Sequence, residues 1–499
     1  MSLSAAFNII SSSFAANAAQ TAVVSNNIAN VNTPGYSREI ANVVTSPFGG
    51  ADVASVTRIA NTALAEQATT STAQAAAQQA IANGLTALAA TVSDSSSASA
   101  ASGANQNGAS PSAMLTNLQS ALTTYQDAPT SSSAADAAVT AAKTLAASLN
   151  SGAAAVDQAR EQADQDMASS VATINSLLNQ FTAANRTVVT GLASGANVAG
   201  AEDKRDLLVT QLAQQIGVTT TTAADGSMSI YADSGATLFQ EIPRTVAFTA
   251  TPTLVDGVSG SPVTVDGVPI TGPNSPMPIQ SGALAGYATL RDTLAPQYGA
   301  QLDQIAGGLI NAFAESDQSN PPTLPSLPGL FTTGASALPS TATATGLAAA
   351  ITVNPTVDSS QGGNPSLLRD GGVSGSGNPA YVYNTTGAAS FTGRIQELAA
   401  AISATQSFDP SAGLPSSASL ADYANASVGW LQGENQNATN ASSYQSALAA
   451  QSAAALSNAT GVNLDAEMTN MLNLENSYAS SAKLLTTVNS MFSALLNAA

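Results

Sequence analysis

Apolar residues recur with one period at both ends of the chain, and no other feature constrains its fold as strongly. Leu3, Phe7, Ile10, Phe14, Asn17, Thr21, Val24, Ile28 and Val31 follow one another in alternating steps of four and three. That is a heptad seam, and as one helix it extends about 43 Å. Asn17 and Thr21 are polar positions inside it, where a side chain can fix register at some cost in stability. At the other end Leu464, Met471, Tyr478, Leu485 and Phe492 form one column, and Leu474, Ser481, Val488 and Leu495 a second. Extended backwards, the second column meets one charged interruption, Glu467. An ordinary amphipathic helix lays such a stripe on a core. A single narrow seam cannot bury itself, so two seams at opposite ends are satisfied most simply by pairing with each other and with copies from other subunits. The expectation is a chain whose termini meet and which assembles.

The first seam runs into NNIANVNTPGYSR, residues 26–38. Asparagine competes for backbone partners and tolerates helix ends and turns. Thr33 precedes a proline and is biased toward extended backbone. Pro34 and Gly35 suit the two central positions of a type II turn, and Tyr36 can anchor an amphipathic ring just beyond it. The helix thus has a stop, a reversal and an anchor. The extra asparagines, Asn27, Asn30 and Asn32 among them, point to contacts with other backbones, and intersubunit contacts are expected.

Between the seams the texture changes twice. Residues 62–190 read as long helices interrupted by SDSSSASAASGANQNGASPS (93–112), which has loop composition. EDKRDLLVTQLAQQIG (202–217) reads as a short helix whose carboxylates Glu202, Asp203 and Asp206 form a solvated, charge-balanced end beside Lys204 and Arg205. From Gly217 to about 282 β-branched residues and turns such as Asp225-Gly226 predict a β-rich insert. Helix is predicted over 281–316, 391–409, 419–457 and 462–497, with 321–330 an irregular linker and 331–390 loop and strand. The fold class expected is mainly α with a β-rich inserted domain, the terminal helices paired in a coiled-coil-like bundle of an elongated multidomain axial chain. Residues 1–45 with 460–499 make a terminal helical core domain, 46–200 with 283–459 a largely helical middle domain, and 201–282 the β-rich outer insert.

Composition excludes most chemistry. The chain has no histidine and no cysteine, which removes imidazole catalysis, thiol nucleophiles, disulfides and nearly all zinc, copper and haem sites. Its 12 basic and 31 acidic residues leave a net charge of −19, so neither nucleic acid nor an anionic membrane surface is an expected partner. No stretch reads as a membrane span, and the amino terminus, without Lys or Arg, does not read as a cleaved secretory signal. No constellation supports catalysis, and no cofactor or metal is expected. DGGVSGSGNP (370–379) lacks P-loop or dinucleotide spacing and reads as a loop.

NNIANVNTPGYSR resembles the signature of the flagellar rod, hook and hook-associated axial proteins, in which Asn-x-x-Asn on a helix is followed by Asn-Thr, then Pro or Thr, Gly, and Tyr or Phe. Ser37-Arg38, the segment EDKRDLLVTQLAQQIGVTTTTAADGSMSIYADSGATL (202–238) and the C-terminal GVNLDAEMTNMLNLENSYASSAKLLTTVNSMFSALLN (461–497) are similar to the FlgK family, hook-associated protein 1. The resemblance implies a non-enzymatic structural protein, exported through the flagellar type III channel. It implies self-assembly in a ring between hook and filament, with the hook protein below and a second junction protein, hook-associated protein 3, above. It also implies an export chaperone on the seam from Leu464 to Leu495. One departure is that Asn311 is followed by AFAESDQSN, without the histidine frequent there in the family. The alternatives are another axial protein of hook or distal rod, a type III-secreted surface adhesin or effector, and a muralytic enzyme.

Overall fold

A single helix of 63 residues, Ser132–Ser194, contributes to two separate hydrophobic cores. The computed structural model describes residues 3–46, 49–92, 110–255, 257–340, 345–375 and 377–498. Most of the 93–112 loop therefore lies outside the described residues.

The chain opens with α1 (Leu3–Ala29) and a hairpin of β1 (Glu39–Thr45) and β2 (Ala51–Arg58). The body begins with α2 (Thr62–Ala89), α3 (Pro111–Asp127), α4 (Ser132–Ser194) and α5 (Ala199–Gln215). Each of α2, α3 and α4 starts on an Asn or Ser whose side chain accepts the N–H of the residue three further on, the usual way a first helical turn is satisfied. Gly195, in a left-handed conformation, ends α4.

The β-rich insert follows. Strands β3 (Val218–Thr222), β4 (Met228–Ala232), β5 (Thr237–Gln240) and β6 (Ile242–Pro243) form one antiparallel meander. Strands β7 (Val246–Ala247), β8 (Thr264–Val265) and β9 (Val268–Pro269) form a second. The β3–β4 turn is at Asp225-Gly226, where the Gly226 N–H donates to Ala223 O.

Helix returns as α6 (Ala283–Thr289), a π turn (Leu290–Leu294) and α7 (Ala295–Ala312). Helix stops at Ala312, before the predicted 316, and short elements follow: β10 (Phe331–Thr332), α8 (Leu347–Ala350), β11 (Thr352–Val353), α9 (Leu367–Asp370) and α10 (Gly393–Ala401). The helix expected to reach 409 ends at Ala401 because β12 (Thr405–Ser407) leaves to pair with β13 (Ser417–Ser419). The chain closes with α11 (Leu420–Thr460) and α12 (Leu464–Ala498).

The amino-terminal half of α4, through Ala138, Leu145, Leu149 and Val156, packs with α3, α7 and α11 around Leu118, Leu302, Ile305 and Tyr423. Its carboxy-terminal half, through Met167, Ile174, Leu178 and Phe181, packs with α5, α6 and the β insert. Phe181 meets Phe239 edge-to-face with ring centroids 4.9 Å apart. The fold is thus mainly α, with small β-sheet insertions and the terminal helices packed on each other.

Helices α2 and α11 run antiparallel and return the chain from the body to its termini. Their contact is extensive, and small polar side chains meet along it: Ser71 with Ser452 at 3.1 Å, Ser442 Oγ donating to Gln79 Oε1 at 2.9 Å, Thr86 Oγ1 donating to Asn435 Oδ1 at 3.0 Å. Alanine and serine let backbones approach closely but bury little apolar area per residue.

Carboxylates organise several loops beside the apolar residues those loops bury, such as Leu330, Val357 and Val373. Asp358 accepts Lys143 Nζ at 2.8 Å, Gln361 Nε2 at 3.0 Å, and the N–H and hydroxyl of Ser360 at 3.0 and 2.7 Å. The lysine and the Ser360 hydroxyl hold this carboxyl well below the usual range. A carboxyl depressed in the folded state stabilises the fold above its unfolded pKa and loses that contribution as pH falls. Asp358→Asn should therefore lower the urea midpoint at neutral pH, and the gap to the unaltered chain should narrow in titrations taken below about pH 4.

Candidate functional site

α12 lies antiparallel on α1. Asn17 Nδ2 donates to Ser477 Oγ at 3.0 Å, and the Phe14 and Tyr478 rings meet edge-on with centroids 4.9 Å apart. Farther along, Asn27 Nδ2 donates to Glu467 Oε2 at 3.2 Å. The apolar contact is partial. Ile10 and Val24 on α1 and Val488 on α12 are buried; Leu3, Phe14, Ile28, Met471, Leu474 and Leu485 are half-buried. Phe7, Leu464, Tyr478, Phe492 and Leu495 stay exposed, as do Met468, Leu472, Leu484, Met491 and Leu496 on the flanks of the seam. The structure thus brings the two seams together and leaves much of the α12 seam uncovered.

The motif after α1 folds back on this pair. Gly35 has φ +78 and the Tyr36 N–H donates to Thr33 O at 3.2 Å, the geometry of a type II turn. Asn30 stabilises the helix end: its Nδ2 donates to Asn26 O at 3.0 Å and its Oδ1 accepts Thr33 Oγ1 at 3.1 Å. Asn32, Thr33, Pro34 and Gly35 are exposed.

Asn27 uses its whole amide inside the chain. Its Oδ1 accepts the Tyr36 hydroxyl at 2.8 Å and the Glu39 N–H at 2.9 Å, while Nδ2 also donates to Glu39 O at 2.9 Å. Intersubunit contact was the expectation for the asparagines, yet this one contacts its own chain. A side-chain amide that mimics a strand partner in both directions holds Glu39 at the start of β1. Burial raises the Tyr36 hydroxyl well above its ordinary value, with Glu39, Asp203 and Glu467 adding to it. The phenol is therefore held as a neutral donor to Asn27.

Glu467 is fully buried, with 0% exposure. It accepts Asn27 on one oxygen and Arg38 Nε, at 2.5 Å, on the other. The Arg38 backbone N–H donates to Thr460 O at 2.8 Å. The charged interruption of the sequence pattern is thus a joint between N-terminal motif and C-terminal helix.

Arg58, at the end of β2, grips α5. It donates to Glu202 at 2.9 Å, Asp203 at 3.0 Å and Asp206 at 2.6 Å. The other Asp203 oxygen accepts the Ser37 N–H at 3.0 Å. Burial alone would lower the Arg58 pKa, but Asp206, Glu202 and Asp203 more than offset it and hold the guanidinium charged. Burial, reinforced by Asp203, also raises the Glu39 carboxyl. The expected solvated end of α5 is therefore corrected: Asp203 is buried, and so is Arg205, which donates to Gly226 O at 2.7 Å. Three carboxylates within about one helical turn surround a cation supplied from 144 to 148 residues away, a distance no local pattern displays.

Sequence reasoning missed Arg38, Glu39, Arg58, Asp203 and Glu467. The available signal was Glu467 itself, a lone carboxylate on the line of an otherwise apolar column. Among the described residues no cluster of three or more ligating side chains could hold a metal, and no helix is long and apolar enough to cross a membrane. The geometry serves cohesion: one hairpin carries Arg38 at its entry and Arg58 at its exit, and so ties the terminal helix pair to the body.

Removing one partner of a largely buried charge cluster strands the others. Arg58→Met should cost about 2–4 kcal/mol in urea unfolding, and Arg58→Lys, which keeps charge but not the fork, should cost less.

Comparison with known proteins gives three family matches. The flagellar hook-associated protein FlgK helical domain matches residues 102–320. The C-terminal model of flagellar basal body rod FlgEFG proteins matches residues 455–498, and the flagella basal body rod protein model matches residues 4–36. The structure of the flagellar hook junction protein FlgK from Burkholderia pseudomallei aligns over 54% of this chain and 47% of its own length, with 23% identity and a TM-score of 0.42. The alignment thus spans about half of that relative. Curated protein sequences gave no match.

Proposed function

The chain belongs to the FlgK family of flagellar hook-associated proteins, and from that premise we propose that this structural component of the flagellum forms the junction between hook and filament. It leaves the cell through the flagellar type III channel and assembles as a ring through its terminal helices. Hook protein lies below it and hook-associated protein 3 above. An export chaperone covers the seam from Leu464 to Leu495 before secretion.

One observation carries this reading. α12 keeps Leu464, Met468, Leu472, Leu484, Met491, Leu495 and Leu496 exposed, the last at 77%. A soluble chain rarely leaves such a row open unless another surface covers it. In a ring, neighbouring α1 and α12 helices cover it, and the asymmetry between a half-buried and an open face supports a subunit completed by its neighbours. Among the described residues the helices of the body carry no comparable open row; we propose that the middle domain and β insert pack outward from the terminal core, on the three-part division read from the sequence.

A hook or distal rod protein is the competing axial reading, because both terminal segments match rod families. The match over 102–320 to a hook-associated domain favours the junction. Immunogold labelling of isolated hook–basal bodies distinguishes the two by position.

Deletion of residues 462–499 should leave cells with hooks but no filaments, and monomeric flagellin in the medium. Electron microscopy and a motility assay read both. Normal filaments on that strain would contradict the proposal.

A further inference from the structure

The apolar seam repeats, and repetition permits sliding. A shift by one heptad sets apolar residues of α12 against apolar residues of α1 again. The three-residue link from Thr460 to Leu464 limits such sliding, and within that limit something must choose one pairing.

The two polar contacts supply the choice. Asn17 meets Ser477 and Asn27 meets Glu467. The spacing is the same on both helices, about 15 Å along each axis, so both contacts close together in only one register. Shifting α12 by one turn along α1 carries Glu467 from Asn27 to Val23 or Val24, both buried and apolar, in one direction, and to Asn30 or Val31 past the end of α1 in the other. A heptad shift sets Ser477 against Ile10 or Val24, and Glu467 against Gln20 or Pro34. In each case Glu467 also leaves Arg38. A buried carboxylate deprived of its donors is far costlier than a lost contact between partly exposed apolar side chains.

We infer that Glu467, assisted by Asn17, sets the register of the terminal helix pair. These are positioning residues: the seam supplies attraction and the polar pairs supply the choice. The inference concerns the helix pair itself and rests on the assembly reading only for its purpose. A failed motility prediction and a failed register prediction are therefore distinguishable.

The chain contains no cysteine, so introduced thiols report alone. In the purified full chain, Phe14→Cys with Tyr478→Cys probes the observed register, where the native rings touch. Phe14→Cys with Met471→Cys and Phe14→Cys with Leu485→Cys probe heptad shifts in the two directions. With Asn17 and Glu467 in place, a short thiol crosslinker should join the first pair at least about tenfold more than either shifted pair. Adding Asn17→Leu and Glu467→Leu should bring the shifted pairs to within about twofold of the first. Glu467→Gln, which keeps an acceptor for Asn27, should retain the native preference. Continued preference for the first pair in the doubly substituted chain would overturn the inference, because apolar shape and the short link from α11 would then be sufficient. So would loss of crosslinking at all three pairs in that chain, which would mean the two residues hold the helices together without selecting register. Equal crosslinking, or none, in the native background would overturn it as well.

Discussion

The carboxylate of Glu467 is the constraint from which the terminal structure follows. It is wholly buried and shared between Asn27 and Arg38. A buried charge survives only with its partners in place. Its position on α12 therefore requires that α1 end where it does, that the turn at Pro34 and Gly35 bring Arg38 back, and that β1 begin at Glu39. The motif is the set of residues that makes this return geometrically available.

From that joint the hairpin extends order to the body. Arg38 precedes β1 and Arg58 closes β2, so one short ribbon touches α12 at its base and α5 beside it. The same use of charge recurs elsewhere. Arg291 and Asp164 are buried together, and Asp164 also accepts the Thr251 N–H at 2.8 Å. Asp303 accepts the N–H groups of Gly346 and Ala348, each at 2.7 Å. With only 4% aromatic residues, the chain has few large side chains with which to shape its loops, and it shapes them with carboxylates and arginines instead.

Much of this was open to reading along the sequence. Both seams were visible because heptad spacing is local, and the helices they form match the predicted spans closely. The type II turn was visible because proline and glycine have narrow backbone preferences. The β insert was visible through its β-branched runs. What stayed hidden depends on distance along the chain. Glu467 looked like a flaw in a stripe because its partners lie about 430 to 440 residues away. The carboxylates at 202–206 looked solvated because Lys204 and Arg205 are their sequence neighbours, whereas the cation that binds them is Arg58. The β1–β2 hairpin was absent from the reading because its strands carry Ala, Asn and Ser among the valines, and neither is buried on a regular alternate face.

The central claim is that head and tail of this chain pair through Asn27 and Glu467 and present the remaining apolar face of α12 to other copies. Electron cryomicroscopy of native flagella at the hook–filament boundary tests it most directly. The account predicts Glu467 in contact with Asn27 and Arg38 of its own chain, and Met468, Leu472, Met491 and Leu495 covered by adjacent subunits. A map in which residues 3–29 and 464–498 are separated, with those side chains facing water, would contradict it.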